Sequence, residues 1–367
     1  MLVSIVTGTR PQIIKSAPVI HAMRQQGVDY EFVHTGQHYD FELAQSFVND
    51  FDLSKPFNLH VGSGDYCYQV YSTIERLSDH YQKNRPDIMI VPGDTTSALG
   101  ASMVGFKMEI PVCHLESGLR RYDLTVQEEL NRRLIDHGSS ALFAPTPTAA
   151  ENLELERVQG EVYMLGDTMY DVLKNRMKIF LDPPFQEEVL SKYNVSTGDY
   201  AIMTFHRREH VDVKSNLEQI VNAINQLEFP IILAMHPRTK KNLIDAHLEL
   251  KSPNLRVVAP LPYDEFMCLM ANAGLAISDS GGIQKESYIL GTPLVSLHNC
   301  TEWVETLKYG KHRLGELKTD RILNDCKDLF GKRYESDPSV YGDGKSAEKI
   351  LPILLSGEVK IPTKLRY

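Results

Sequence analysis

Two carboxylates stand within three residues of the ends of short apolar runs that are typical of buried parallel strands. Asp94 follows the run Ile88–Val91, and Glu116 follows the run Val112–His114. Ligands of open α/β sheets bind beyond the carboxyl ends of the strands, so we expect both acids at one sheet edge, joined by Glu128 from a following helix. Asp94 and Glu128, taken singly, are explained equally well as residues that cap or begin a helix. The joint occurrence of the three acids predicts a cluster of catalytic carboxylates.

Two further segments combine a strand end, the start of a helix and groups suited to anions. In the first, Gly8-Thr-Arg10-Pro-Gln-Ile-Ile-Lys15, both cations would lie near a helix N-terminus, where an anion is favoured, although solvated cations explain the pattern as well. In the second, Ser280-Gly281-Gly282 follows the run Leu275–Ser278, and its glycines let backbone N–H groups approach a phosphate or diphosphate. Glu286 lies one turn further on and could reach a ribose diol. The alternative for the second segment is an ordinary Gly-Gly turn in which Asp279 caps the helix.

Two histidines, His206 and His236, also follow strand-like runs. A single histidine at a strand end is more often a hydrogen-bonded structural residue than a catalytic one. The sequence contains no G-x-G-x-x-G after its first strand, no Walker A motif, no H-E-x-x-H and no acidic metal loop. The sequence therefore predicts neither a metal site nor a cofactor. The acids together with the predicted diphosphate site indicate an enzyme that acts on a nucleotide-linked substrate.

The composition is that of an ordinary globular protein and excludes several classes of partner. With 39 Lys and Arg against 48 Asp and Glu, the formal charge is −9, which offers no general footprint for nucleic acid. Five scattered cysteines without a C-x-x-C pair argue against a disulfide framework or a zinc ribbon and favour a reducing compartment. The N-terminal residues resemble a first strand rather than a signal peptide, and no window has the ~18 apolar residues of a membrane span. We expect a cytoplasmic protein with no membrane partner.

Apolar runs alternate with amphipathic stretches along most of the chain, which predicts an α/β fold with doubly wound parallel sheets. The predicted strands are Leu2–Val6, Glu31–His34, Ile88–Val91, Val112–His114, Leu142–Ala144, Ala201–Phe205, Ile231–Met235, Arg256–Val258, Leu275–Ser278 and Leu294–Leu297. The alternation pauses between about 170 and 200. We therefore predict an N-terminal Rossmann-like domain over 1–170 and a second one over 171–344. The C-terminal helical segment 345–367 is expected to pack back on the first domain, with a hinge near 166–172.

The motifs, taken in order, resemble those of the non-hydrolysing UDP-N-acetylglucosamine 2-epimerases. They are Gly8-Thr-Arg-Pro-Gln-Ile-Ile-Lys15, His34-Thr-Gly-Gln-His38, Gly93-Asp-Thr-Thr96, His114-Leu-Glu-Ser-Gly-Leu-Arg120, Glu128-Glu-Leu-Asn-Arg132, His206-Arg-Arg-Glu209, His236-Pro-Arg238, Asp279-Ser-Gly-Gly-Ile-Gln284 and Thr301-Glu302. The resemblance implies a GT-B-like pair of Rossmann-like domains facing across a cleft, and interconversion of UDP-GlcNAc and UDP-ManNAc. It also implies a homodimer and a reaction without a cofactor. The implied route eliminates UDP to give a 2-acetamidoglucal and then adds UDP back.

The resemblance also implies a role for each matching residue. The residues that match catalytic groups are Asp94, Glu116, Glu128 and His206. The residues that match substrate contacts are Arg10, Lys15, Gln37, His38, Arg132, His236, Ser280, Gly281, Gly282 and Glu286. Gln37 and His38 also match part of the region where many bacterial members bind an activating second UDP-GlcNAc.

Some positions depart from the family pattern. Gln127 stands where the family usually has Pro, and His210 stands where it usually has Asn. Lys285 and Trp303 resemble members that take modified UDP sugars, including diacetamido-uronic acids, because a cation beside a uronate is physically sensible. The alternative is that Lys285 is a solvated helix residue and Trp303 a packing residue.

Three other functions stay open at this point. A hydrolysing epimerase is disfavoured by Gly-Thr-Arg-Pro, because that branch resembles Gly-Ser-Arg-Ala there. A GT-B glycosyltransferase would share the Gly-Gly segment that binds a diphosphate but would not need three acids in the first domain. A nucleotide-sugar-binding regulator would have no reason to keep the acids.

Overall fold

The computed structural model describes residues 1–36 and 48–363, which fold as two units, each built on its own parallel sheet. Unit 1 contains Met1–Asn175 and Ser339–Tyr367, and unit 2 contains Arg176–Pro338. Both boundaries lie a few residues from those expected at 170/171 and 344/345. This architecture confirms the prediction of two Rossmann-like α/β domains.

In the described residues, the sheet of unit 1 has seven strands in the order β3-β2-β1-β4-β5-β6-β7. Its strands are β1 (Val3–Thr7), β2 (Tyr30–His34), β3 (Phe57–Asn58), β4 (Ile88–Pro92), β5 (Val112–Leu115), β6 (Ala141–Ala144) and β7 (Glu161–Met164). The helices of this part of the chain are α1 (Arg10–Gln25), α2 (Tyr66–Tyr81), α3 (Thr96–Lys107), α4 (Gln127–Gly138), α5 (Pro147–Leu155) and α6 (Thr168–Phe180). The boundary between the units falls inside α6.

The sheet of unit 2 has six strands in the order β10-β9-β8-β11-β12-β13, again within the described residues. They are β8 (Ala201–Thr204), β9 (Ile231–Ala234), β10 (Leu255–Val258), β11 (Leu275–Ser278), β12 (Leu294–Ser296) and β13 (His312–Leu314). The helices are α7 (Pro183–Tyr193), α8 (Arg208–Val211), α9 (Lys214–Gln226), α10 (Pro237–Asp245), α11 (Tyr263–Asn272), α12 (Gly281–Leu290) and α13 (Thr319–Leu329). The last described helix of the chain, α14 (Ser346–Leu355), belongs to unit 1.

The strand order of each sheet reverses at one point, and that point locates the ligand crevice of a doubly wound fold. In unit 1 the reversal lies between β1 and β4, and in unit 2 it lies between β8 and β11. The segments that follow these strands begin at Gly8, Gly93, Phe205 and Asp279. The motifs singled out in the sequence therefore stand at the two switch points.

Apolar packing on both faces explains why the central strands read as continuous hydrophobic runs. All five residues of β1 are buried, and Val3 and Ile5 join a core cluster that also includes Ile350 and Leu354 of α14. The carboxylate of Asp171 accepts hydrogen bonds from the first two N–H groups of α14 at 3.0 and 2.8 Å. This contact and the apolar cluster join the C-terminal helix to unit 1.

The sequence missed the short strands β3, β7 and β13, which lie at sheet edges. Edge strands are covered on fewer sides, so their side chains do not form an apolar run; β7, for example, has no buried residue. No helix among residues 1–36 and 48–363 has the length and apolarity required to cross a membrane.

His312, on edge strand β13, is a buried histidine whose ring is held neutral. Its Nδ1 lies 2.6 Å from Oγ1 of Thr306, and its Nε2 has no hydrogen-bond partner among the described residues. Burial lowers the pKa of His312 to about 4, against a smaller opposing effect of the Glu302 charge.

We expect this group to make unit 2 less stable in mild acid. Because the folded pKa lies below the ordinary value of about 6.5, the unfolded chain takes up the proton first, and stability is lost as the pH falls from about 6.5 towards 4. The test variant is His312→Asn, which keeps a polar atom near Thr306. Between pH 7 and pH 5 the unfolding free energy of the parent should fall by about 2 kcal/mol more than that of the variant. Urea unfolding at both pH values tests this, and equal pH slopes would show that His312 does not titrate in this way.

Candidate active site

The loop between β1 and α1 is held to the end of β4 by one buried glutamine. The Gln12 carbonyl accepts hydrogen bonds from the N–H groups of Gly8 and Thr9 at 2.8 and 3.1 Å, and its amide donates to the Pro92 carbonyl at 2.6 Å. A Cβ at Gly8 would lie 2.2 Å from Oγ of Ser97, so only glycine fits there. The hydrogen bonds of Gln12 therefore join the two loops that flank the switch point of unit 1.

Glu116 and Asp94 follow neighbouring strands, and each forms an ion pair with a cation from a helix. Glu116 pairs with Lys15 of α1, and Asp94 pairs with Arg132 of α4, whose Nη2 lies 2.5 Å from the carboxylate. The amide of Asn131 also donates to the backbone carbonyl of Asp94 at 2.8 Å. The sheet register thus places the two predicted acids together with two of the predicted substrate-contacting cations.

Two left-handed backbone positions shape this edge of the sheet. Gly93 has φ +66°, and Glu116, which is not a glycine, has φ +63°. A Cβ placed on Gly93 would lie 3.4 Å from Nζ of Lys15 and 3.7 Å from Oε2 of Glu116, so the segment that carries Asp94 runs beside that ion pair. A non-glycine residue in the left-handed region costs free energy and is concentrated at functional sites.

Glu128 lies in the first turn of α4 and is half-buried. Arg132 follows it by four residues, so the two side chains share one face of the helix. Because Arg132 reaches Asp94, the same face directs Glu128 towards the edge of the sheet that carries the other two acids. The helix N-terminus also favours a carboxylate in this turn.

In unit 2, the switch point is organised around Asp279, which is fully buried at the end of β11. Its carboxylate accepts hydrogen bonds from the N–H groups of His206 and Arg207 at 2.9 and 2.8 Å and from Nδ1 of His210 at 2.9 Å. Burial alone would raise the pKa of Asp279, but the hydrogen bond from His210 and the charges of His206 and His210 hold that pKa well below its usual range. Sequence reasoning had considered Asp279 only as a helix cap, and the structure corrects this.

His206 stands at the open side of this arrangement with 40% of its side chain exposed. Its ring stacks on that of His236, with 5.0 Å between the ring centroids. His236 itself caps α10, because its Nδ1 accepts the N–H of Arg238 at 3.1 Å. The two predicted site histidines are therefore adjacent at the ends of β8 and β9.

The Gly-Gly segment begins α12 as the sequence predicted, with Ser280 at the N-cap position. A Cβ at Gly281 would lie 2.9 Å from Oε1 of Glu302, whereas at Gly282 its nearest neighbour would be Oγ of Ser280 at 3.9 Å. Glu286 is buried and accepts a hydrogen bond from the hydroxyl of Tyr263 at 3.1 Å. Its other carboxylate oxygen lies 4.0 Å from the Cβ position of Gly282, next to the helix N-terminus.

The interpretation of Lys285 as a solvated helix residue is wrong. Lys285 is 2% exposed, and its ammonium lies 3.8 Å from the centroid of the Trp303 indole ring, which is itself 3% exposed. The indole nitrogen in turn lies 3.9 Å from the Cβ position of Gly281. A buried cation over an aromatic face is attracted by the ring, and this pair borders the start of α12.

One group of possible metal ligands was not visible in the sequence spacing. Glu209, His210 and His298 each bring one ligand atom to within 4.8 Å of the others. Asp279 also binds both histidine rings, through its carboxylate to His210 and through its backbone carbonyl to Nε2 of His298 at 2.9 Å. These bonds explain the positions of the two rings.

Two predicted substrate contacts, Gln37 and His38, lie outside the described residues. The remaining predicted residues lie at the switch points of their own units, after the neighbouring strands β5 and β9, or on the helices that follow these strands.

Comparison with known proteins gives a consistent result. A family model described as UDP-N-acetylglucosamine 2-epimerase matches residues 21–355. A Methanococcus maripaludis protein named UDP-N-acetylglucosamine 2-epimerase homolog is 38% identical over 358 residues, which cover 96% of this chain and 99% of the relative. A Pseudomonas aeruginosa protein named UDP-2,3-diacetamido-2,3-dideoxy-D-glucuronate 2-epimerase is 32% identical, with 96% of this chain and 99% of the relative covered.

Among solved structures, the Methanocaldococcus jannaschii UDP-GlcNAc 2-epimerase in complex with UDP-GlcNAc and UDP superimposes with a TM-score of 0.90. It is 35% identical in sequence, and the match covers 97% of this chain and 100% of that one.

Proposed function

The chain belongs to the UDP-N-acetylglucosamine 2-epimerase family, and from this premise we propose that it interconverts UDP-GlcNAc and UDP-ManNAc without net hydrolysis. The observation that carries the proposal is the pair of carboxylates Asp94 and Glu116, which follow adjacent strands and are each held by a cation. Proton transfer at a carbon atom requires groups of this kind in fixed positions.

The chemistry explains why several acids are needed. The C2 proton is poorly acidic because no carbonyl adjoins C2. Departure of UDP with the electron pair of the C1–O bond creates an oxocarbenium-like state, and loss of the C2 proton then forms the C1=C2 double bond of a 2-acetamidoglucal. Protonation of C2 from the opposite face and return of UDP to C1 complete the inversion. Acids on the two faces of the sugar must differ in protonation state, and neighbouring charges can separate their pKa values.

We assign these steps to the residues of unit 1. Asp94, Glu116 and Glu128 are the proposed proton-transfer groups. Arg132 and Lys15 hold two of them in place and supply positive charge for an anionic leaving group. Electrostatic stabilisation by such preorganised groups is a major source of rate enhancement.

The residues of unit 2 are proposed to bind UDP. The N–H groups at Gly281 and Gly282 begin α12 and suit a diphosphate. The Glu286 carboxylate lies next to them and suits a ribose diol. His206, which we keep as a proposed catalytic group, is partly exposed beside His236 and suits a phosphate oxygen of the departing UDP.

The experiment that tests the proposal is proton NMR of the purified protein with UDP-GlcNAc in D2O, without added cofactor. We expect UDP-ManNAc with deuterium at C2 and no free ManNAc. Free UDP together with ManNAc would instead establish the hydrolysing reaction. No change, with or without excess substrate as an activator, would reject UDP-GlcNAc as the substrate.

A second candidate substrate is favoured by the buried pair of Lys285 and Trp303. A buried ammonium beside the start of α12 suits a UDP sugar that carries a carboxylate, and a relative in Pseudomonas aeruginosa is named for such a sugar. In that case the acids and the route stay the same and only the sugar differs.

Replacement of Lys285 by Met tests the sugar. Met keeps the unbranched apolar part of the side chain but removes the charged ammonium. If the substrate is a diacetamido-uronate, kcat/KM for it should fall by about 10- to 100-fold, the value of one lost charge-assisted hydrogen bond, while kcat/KM for UDP-GlcNAc should change little. The matched control is Lys308→Met, because Lys308 is exposed and also lies over an aromatic ring, that of Tyr309, at 5.4 Å. Equal effects on both sugars would assign Lys285 a packing role only.

The family resemblance further supports a homodimer that works in the cytoplasm. Light scattering coupled to size exclusion would measure twice the 41.6 kDa chain mass for the proposed dimer. A mass equal to one chain would contradict it.

A further inference from the structure

Beneath the acids of unit 1 lies a buried group of charged residues that sequence reasoning did not assign. It consists of His114 on β5, Asp136 on α4 and Arg120, and all three side chains are 0% exposed. No step of the proposed reaction uses these residues. Burying charged groups is costly unless they are paired, so their contacts indicate what they hold in place.

His114 connects Asp136 to the loop that carries Asp94. The register of the parallel pair places His114 opposite Val91, so its ring reaches the residues that follow β4. Its Nε2 lies 2.9 Å from the backbone carbonyl of Gly93, and its Nδ1 lies 2.6 Å from Oδ1 of Asp136. The ring of His114 therefore bridges the Asp136 carboxylate and the backbone that follows β4.

Asp136 also binds the loop that carries Glu116. Its Oδ2 accepts the N–H of Gly118 at 3.1 Å and lies 2.8 Å from Nη1 of Arg120. Gly118 has φ +80°, and a Cβ there would lie 2.1 Å from the Ala149 carbonyl, so only glycine fits at this point of the loop. Burial alone would raise the pKa of Asp136, but the charges and hydrogen bonds of His114 and Arg120 lower it overall, which keeps the carboxylate ionised.

We propose that Asp136 is a positioning residue that fixes the Asp94 loop to the Glu116 loop, through His114 on one side and the Gly118 amide on the other. One carboxylate thus sets the separation of two proposed catalytic acids that lie in different loops. The second loop begins with a left-handed non-glycine residue, Glu116, and a strained backbone persists only where its surroundings hold it. We call this link between the two loops the clamp. Its role in turnover rests on the proposed function, whereas the clamp itself does not.

Glu156 provides a matched control. It binds the same Arg120 through two hydrogen bonds, at 2.8 and 2.6 Å, and also pairs with Arg133 and His137, but it binds neither the Gly118 amide nor His114. Asp136→Asn and Glu156→Gln therefore both remove an ion pair from Arg120, and only the first removes the clamp. His114→Gln is a second test variant, because it leaves the bonds of Asp136 to Gly118 and Arg120 in place.

The experiment measures kcat, KM, UDP affinity by calorimetry, and amide hydrogen exchange of peptides covering 92–97 and 116–121. Asp136→Asn should lower kcat by about 100-fold, the effect of displacing a reacting group by roughly 1 Å, with KM and UDP affinity within about threefold of the parent. Exchange should be faster in both peptides. Glu156→Gln should keep kcat within about twofold and keep the exchange of both peptides, even if its melting temperature falls.

The outcomes separate the clamp from general stability. Equal losses of kcat in Asp136→Asn and Glu156→Gln, or an unchanged kcat in Asp136→Asn, would overturn the proposal. If Asp136→Asn does not fold, His114→Gln decides: a lower kcat with faster exchange in 92–97 supports the clamp, and parent-like values reject it. A parent protein that turns over no UDP sugar would refute the proposed function, while the exchange pattern would still test the clamp.

Discussion

Asp94→Asn and Glu116→Gln are each expected to lower kcat for epimerisation by about 1,000-fold while UDP affinity changes only severalfold. Both substitutions keep the size of the side chain but remove the charge and the ability to take up a proton at neutral pH. They also weaken the ion pairs with Arg132 and Lys15, which orient the acids. The proposed UDP-binding residues belong to unit 2, so the loss should appear in turnover rather than in UDP binding.

Parallel turnover assays and UDP titrations check this result. Glu151→Gln is the control, because Glu151 is an exposed acid on α5 of the same unit, and its replacement should leave both quantities unchanged. Near-parent turnover in either test variant would remove that carboxylate from the mechanism. A large loss of UDP affinity would instead show that the residue binds the nucleotide.

The largest effect on stability is expected at Asp279. Asp279→Ala should lower the unfolding free energy by about 3–5 kcal/mol, because it leaves buried donors without their acceptor. Those donors are the N–H groups of His206 and Arg207 and the ring of His210. Because the folded pKa of Asp279 is lowered, its contribution is fully present above the ordinary value of about 3.9 and is lost as the pH falls below it. The effect should therefore be complete at pH 7.

Urea unfolding at pH 7 measures this loss, and Asp212→Ala is the matched control. Asp212 is an exposed aspartate that pairs with Arg238 at 3.0 Å, and such surface pairs contribute about 0–1 kcal/mol. If Asp279→Ala does not fold, Asp279→Asn, which retains one acceptor oxygen, should show a smaller loss of the same sign. Equal losses at positions 279 and 212 would mean that Asp279 does not organise the switch point of unit 2.

Much of the fold could be predicted from local pattern. The central strands of both sheets are apolar on both faces, so their runs stand out without any knowledge of their neighbours. The edge strands β7 and β13 have no buried residue and one buried residue, respectively, so they lack that pattern, and the sequence missed them. The chain positions of Asp94, Glu116, the two histidines and the Gly-Gly segment could be located because these residues come soon after predicted strands.

The sequence by itself determined which residues stand at the strand ends, that there are two α/β domains, and which family the chain resembles. Only the tertiary structure decided which side chains meet and which are buried. The pairing of Lys15 with Glu116, the burial of Lys285 on Trp303 and the contacts of Asp136 join residues far apart in sequence. These contacts depend on strand order and register, which bring distant chain segments together, and burial of a charge depends on neighbours that no local pattern specifies.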